Sequence, residues 1–387
     1  MPRRVQSARE EREFEAYVKA LLLNSENDDK VLDALAELDV PSPYRVRVKV
    51  VYAETSPKAV IDHLAKGRKL KRLTDRSASY IYEARIGDTD ESQVRVPFFI
   101  ADFKREHLGN GLNAIVAVCK TYPWQALRRF LNREYPDIVP ILLSQSELIR
   151  GARLLKQETG HDVHVTAFSA KETLQGITGK RRKSVREWTD EELDKALLNI
   201  QDRHQLLTSL DVDFFPRMGS HSHIRPKASC KIRKDGEIEV SGSFSLAFHT
   251  VAAQVARVGE HKLKFFSGRG LREAHYDPKP LAINFPRPVF DEVATVRNLV
   301  HVLSKYPRSM HAVAHGNPYA QVRLTDLFDG SSFDVWAIPP QRIALVPGLK
   351  ASEAAVERLV HYIFDTFREG QIATYDDEGR TLEDASQ

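Results

Sequence analysis

Strict alternation of apolar and charged side chains is the feature that most limits what this chain can fold into. In the segment 45–52, valines at positions 46, 48 and 50 alternate with Arg45, Arg47 and Lys49. A period of two residues is typical of a strand that buries one face and exposes the other to water. The same period recurs over 78–86 and 93–104, so we expect a sheet of half-buried strands.

The order of segments from residue 113 onward predicts helices packed against this sheet. Strand-like runs at 113–119, 138–143 and 163–168 alternate with helical periodicity at 122–134 and 147–158. Strand–helix–strand order at this spacing is typical of a parallel sheet with helices on it. Residues 1–170 are therefore predicted to form an α/β domain with a mixed sheet and flanking helices.

A second domain is predicted after a basic linker at 171–188. Helical periodicity at 290–305 and 352–369 brackets three strand-like segments, at 319–328, 333–338 and 341–346. A helix, a three-stranded meander and a helix can bury one shared apolar face. Residues 189–387 are thus expected to form an α+β domain that ends in a flexible acidic tail.

Several classes of protein do not fit this composition. The longest clearly apolar run, Ala114–Cys119, is far shorter than the ~20 residues of a membrane span. The N-terminus has no apolar signal-peptide core, and two cysteines cannot form a disulfide framework. We therefore expect a cytoplasmic protein that does not bind membranes.

Basic residues are concentrated in three segments, 66–76, 180–186 and 225–234, of a chain whose formal net charge is only +4. Local positive charge favours polyanionic partners, because binding to phosphates releases condensed counterions. A charge run is equally typical of a solvated face or loop. The candidate nucleic-acid-binding residues are Lys66, Arg68, Lys69, Lys71 and Arg72, then Lys180, Arg181, Arg182 and Lys183, then Arg225 and Lys227.

A motif with catalytic logic lies at the end of the strand predicted over 93–104. Hydrophobic residues lead into Asp102-Phe-Lys104, and Asp88 and Asp90 occupy the preceding turn. Alternation along a strand places Asp102 and Lys104 on one face. Carboxylates are suitable ligands for Mg²⁺, and a nearby lysine could neutralise charge that develops during phosphoryl transfer.

The order helix, three strands, helix, strand over residues 56–145 resembles the core of the PD-(D/E)xK nuclease superfamily. The resemblance implies Mg²⁺ held by Asp88, Asp90 and Asp102, and catalysis by Asp90, Asp102 and Lys104. A second register is open, with Asp102 as the first acid and Lys120 as the lysine. Val118 then stands where the second acid belongs, and the site would be inactive.

Two functions follow as expectations. The first is a nucleic-acid-binding protein that could act as a Mg²⁺-dependent phosphodiesterase. The alternative is a non-enzymatic interaction protein that recognises a protein partner through its C-terminal domain. Within that domain, His311 and His315 are interpreted as packing or turn-anchoring residues. The unusual residues from His315 to Trp336 are interpreted as turn chemistry with one core tryptophan; the alternative is a loop that forms a binding surface.

Overall fold

The chain contains helices together with two β-sheets, which confirms the predicted mixed class. It divides into two compact units, one holding most of the first sheet and the other the whole second sheet. The computed structural model describes residues 7–25, 28–53, 61, 70–73, 81–86, 94–103, 112–134, 138–158, 161–172, 182–185, 205–216, 226–267, 279–315 and 319–375.

The first sheet has eleven strands in the order β2-β3-β4-β5-β1-β11-β10-β9-β7-β8, with β6 beside β1. Its strands are β1 (Arg45–Tyr52), β2 (Leu70–Arg72), β3 (Ile81–Ile86), β4 (Val94–Asp102), β5 (Leu112–Cys119), β6 (Val139–Pro140), β7 (Asp162–Glu172), β8 (Arg182–Val185), β9 (Gln205–Phe215), β10 (Ala228–Arg233) and β11 (Glu237–Gly242). Accompanying helices are α1 (Ala8–Asn24), α2 (Asp28–Ala36), α3 (Thr121–Glu134), α4 (Gln145–Glu158), α5 (Phe244–Ala247) and, after a π-helical turn, α6 (Ala253–Phe266).

The parallel sheet expected beyond residue 113 is replaced by antiparallel ladders around β1. β5 pairs antiparallel with β1 along its whole length, and β6 pairs antiparallel with residues Val51 and Tyr52. The two strands that α3 connects therefore run parallel to each other with β1 between them. The helix was correctly predicted between two strands. The sequence did not show that β1 lies between β5 and β6, because that pairing depends on residues far apart in the chain.

The first sheet also continues past the linker expected at 171–188. β11 pairs with β1, so that Val46 lies opposite Val240 and Val48 opposite Ile238. These four side chains are buried and extend one apolar face across both strands. Residues 228–242 thus belong to the first sheet rather than to the C-terminal domain expected from residue 189.

The second sheet is built from β12 (Leu281–Asn284), β13 (Ser309–His315), β14 (Ala320–Asp326), β15 (Ser332–Ile338), β16 (Arg342–Pro347) and β17 (Gln371–Thr374), and its helices are α7 (Val293–Ser304) and α8 (Glu353–Thr366). Its six strands follow the order β13-β14-β15-β16-β12-β17 and are all paired antiparallel. The predicted helix, three-stranded meander and helix are present as α7, β14–β16 and α8. The Ser352 hydroxyl caps α8 by accepting a hydrogen bond from the Ala355 N–H at 3.0 Å.

The acidic tail, from residue 376, lies outside the described residues. Among the helices of the described ranges, none combines the length and the apolar character needed to cross a membrane.

Candidate functional site: an uncharged edge strand

Asp102 is the one member of the predicted metal site that the structure describes. It is the last residue of β4 and is exposed. Its carboxylate accepts a hydrogen bond from the side-chain amide of Asn113, its cross-strand partner on β5, at 2.5 Å. Asp88, Asp90 and Lys104 lie outside the described residues.

The strand ends that flank the turn acids lie far from Asp102. Ile86 and Val94 pair with each other at the opposite end of β4. The nine residues of β4 separate Val94 from Asp102 by about 26 Å, at roughly 3.3 Å per residue. Two carboxylates on one Mg²⁺ must each approach to ~2.1 Å. The described strand ends alone therefore do not place two carboxylates on one metal ion. Because Asp88 and Asp90 lie outside the described residues, the metal site and the nuclease stay predictions.

The second register, with Asp102 as the first acid and Lys120 as the lysine, also does not bring its residues together. β4 and β5 are antiparallel, so Asp102 lies opposite Asn113 at one end of β5, whereas Lys120 follows the other end. The Lys120 ammonium is instead 2.6 Å from the Glu11 carboxylate of α1. Within the described ranges, no group of three or more His, Cys, Asp and Glu side chains is arranged to hold a metal ion.

Two cations of the third basic segment, Lys231 and Arg233, are paired with acids on neighbouring strands. Lys231 on β10 lies opposite Asp211 on β9, and their charged atoms are 3.0 Å apart. Arg233 approaches Glu237 at 3.3 Å. Opposite charges on adjacent strands attract each other, so these cations already have protein partners. Lys227 is exposed, and Arg225 lies outside the described residues.

The basic face of β1 is buried, which corrects the expectation of a half-buried strand. Arg47 is 2% exposed, and its guanidinium contacts Glu239 at 2.9 Å and the Thr121 hydroxyl of α3 at 3.0 Å. The Lys49 ammonium is 3.2 Å from Asp235. Burial lowers the pKa of Lys49, and the attraction of Asp235 opposes that effect. The covering helix and the acids of the β10–β11 hairpin replace water on this face.

The first two basic segments supply the end strands of the first sheet. β2 carries Lys71 and Arg72, and β8 carries Arg182 and Lys183. An end strand presents unpaired N–H and C=O groups, and short strands with Lys or Arg resist pairing with another chain. The exposed charge of Lys71 on β2 therefore has a structural explanation that needs no nucleic acid. In the same two segments, Lys66, Arg68, Lys69, Lys180 and Arg181 lie outside the described residues.

β13 is an end strand of the second sheet and has neither of these protections. It is seven residues long, and its sequence Ser-Met-His-Ala-Val-Ala-His contains no Lys, Arg, Asp, Glu or Pro. Every residue from Met310 to His315 is exposed. Met310 retains 62% and Val313 48% of its accessible surface.

Both faces of β13 are open to solvent. His311 and Val313 lie opposite Leu324 and Val322, which are buried, whereas the two β13 residues are exposed. The layer that covers β14 therefore does not extend over its neighbour. Exposure of His311 and His315 on a strand corrects their interpretation as packing residues.

A polar cluster fixes the start of β13. The Tyr306 hydroxyl donates to Asp326 at 3.1 Å, and the Arg358 guanidinium lies 2.9 Å from the same carboxylate. Arg308, the residue before the strand, has a φ of 48°, in the left-handed region that non-glycine residues seldom adopt. Its carbonyl accepts from the Leu327 N–H at 2.9 Å, and its guanidinium lies 4.9 Å from the centre of the Phe328 ring.

Trp336 enlarges the exposed apolar surface near this edge. It lies on β15 opposite Gln321, on the same face as Met310, and is 38% exposed. Tyr319, just before β14, is 54% exposed. Trp336 was expected in the core. Its position on the open face follows from the alternation of β15, whose buried members are Phe333, Val335 and Ala337.

Comparison with known proteins does not assign the chain to a family. No protein-family model matches the chain, and no curated protein matches it either.

Proposed function

We propose that the chain is a non-enzymatic interaction protein that binds a polypeptide through β13, adding the partner's strand to the second sheet. The observation that supports this proposal is the seven-residue, uncharged and exposed edge. Extended peptides commonly bind proteins by adding a strand to such an edge. Main-chain hydrogen bonds then supply affinity, and side chains on the two faces supply selectivity.

The chemistry of β13 defines the partner segment. Each hydrogen bond of the new ladder would contribute a net ~0.5–1.5 kcal/mol. Met310 on one face and Val313 on the other offer apolar contacts. A register shift between Val313 and His315 interrupts the regular ladder, so the partner would pair mainly with residues 309–313. We expect the partner segment to be about five residues long, extended, and free of Lys, Arg, Asp and Glu.

A peptide-display selection on the full chain tests this function. The wild-type chain should enrich extended, uncharged peptides, and Val313→Lys should lose them, because a lysine on an edge opposes strand addition. Gln371→Lys is the matched control, since Gln371 is also exposed but lies on the opposite edge of the same sheet. Equal enrichment on wild type and Val313→Lys would refute the proposal.

Nucleic-acid binding is the second proposal. Its support is the local excess of basic residues, of which Lys71 and Lys227 are exposed. Cleavage of the bound strand in Mg²⁺ would extend it to the enzymatic form, with Asp102 as a metal ligand.

A further inference from the structure

We infer that the strand added to β13 is β13 of a second copy of this chain, antiparallel about a two-fold axis at His311. This inference rests on the proposed function and names its partner. The pairing would join two six-stranded sheets edge to edge into one continuous sheet.

The sequence of the strand is complementary to itself in this register. A two-fold axis at His311 places Met310 opposite Ala312 and Ser309 opposite Val313 of the second copy. Each large side chain thus meets a small one. The two His311 side chains meet at the axis. Directly opposite residues in antiparallel strands have Cβ atoms ~4.5–5.5 Å apart, so these pairs would be in contact.

No permanently charged side chain of β13 opposes self-pairing. Residues 309–315 carry no formally charged Lys, Arg, Asp or Glu side chain. The nearest cation on the adjoining strand, Arg323, lies opposite Ala312 and is 3.0 Å from Asp334. The two Arg308 residues would lie about 20 Å apart along the paired strands, beyond a Debye length of ~8 Å.

Two-fold pairing also predicts that association stops at the dimer. The second sheet's other end strand, β17, has four residues, and the end strands of the first sheet have three and four. Such short edges are poor templates for strand addition. A symmetric contact uses β13 of both copies at once, so the described end strands leave no comparable edge for a third copy.

The strength of association follows from the length of the ladder. Five residues lie before the register shift, and an interface smaller than ~1,200 Å² is typical of weak or transient complexes. We therefore expect reversible dimers with a micromolar Kd.

Sedimentation velocity on the full chain, from roughly 1 µM to roughly 200 µM, brackets a micromolar Kd. Wild type and Gln371→Lys should pass from monomer to dimer, and Val313→Lys should associate at least about tenfold more weakly. Circular dichroism checks that each variant is folded. A dimer that is unchanged in Val313→Lys would overturn this inference.

Cysteine cross-linking tests the register. His311→Cys should form an intermolecular disulfide under mild oxidation, since its Cα partner would be ~4.5–5.5 Å away. Val313→Cys is the matched control, because its two copies would be roughly 13 Å apart. The natural Cys119 and Cys230 are buried. Equal cross-linking of both variants, or of neither, would overturn the proposed axis. A monomer that still selects peptides through β13 would refute self-pairing alone and leave the proposed function standing.

Discussion

At the scale of single residues, Arg358 forms ion pairs with two carboxylates. These are Asp326 at the end of β14 and Asp329 in the turn that follows. The distances are 2.9 Å and 3.1 Å, and Asp326 is 0% exposed. Removing the guanidinium would leave the buried carboxylate of Asp326 without a neutralising cation. We expect Arg358→Ala to lower the free energy of unfolding by about 3–5 kcal/mol, measured by urea titration.

The control for that prediction is Arg323→Ala. Arg323 also pairs with an aspartate, Asp334, but its side chain is 67% exposed. Exposed ion pairs contribute little to stability, so this variant should unfold close to wild type. Similar losses in both variants would contradict the importance of burial.

The same turn makes stability depend on pH. Burial alone would raise the pKa of Asp329, but hydrogen bonds from Ser352 and Ser331 and the charge of Arg358 lower it below its ordinary value. A folded-state pKa below the unfolded one stabilises the protein above about pH 4. That contribution is lost as pH falls through the folded pKa. Urea titrations from about pH 5 to about pH 2 should show a steeper loss in wild type than in Asp329→Asn; parallel curves would argue against it.

At the scale of elements, periodicity predicted those that bury one face. The meander of β14, β15 and β16 and the helix after Ser352 were predicted because apolar residues recur at the correct spacing. β13 was missed because both of its faces are exposed, which removes the contrast between them. An edge is defined by strand order, and strand order depends on contacts between distant parts of the chain.

The ion pairs could not be predicted from the sequence for the same reason, because they join distant parts of the chain. Arg47 and Glu239 are 192 positions apart, yet they are neighbours across β1 and β11. The number of basic residues in a segment therefore overestimates the positive charge that is available to a nucleic acid. Lys231, which has Asp211 opposite it, is the clearest case.

These pairs give the second proposal a specific prediction. If exposed lysines contact phosphates, Lys71→Ala combined with Lys227→Ala should weaken nucleic-acid binding and reduce its log–log salt slope by about 2. Lys231→Ala should change the slope little, because its ammonium is 3.0 Å from Asp211. Fluorescence anisotropy at several salt concentrations measures both. An unchanged slope in the double variant would remove these lysines from the interface.

At the scale of the whole molecule, the four described end strands differ in one respect that decides how copies associate. β2, β8 and β17 are short, and β2 and β8 also carry basic residues, whereas β13 is long and uncharged. Protection of the other edges should therefore limit assembly to the β13 dimer.

Removing one such protection should change the assembly. Lys71 is exposed on β2, and Lys71→Val would make that edge apolar and more receptive to another strand. We expect this variant to form species larger than a dimer at high concentration, measured by light scattering after size-exclusion chromatography. Adding Val313→Lys should remove the β13 contact but leave association through β2. If Lys71→Val forms no species larger than the wild-type dimer, this lysine does not protect β2 from pairing with another strand.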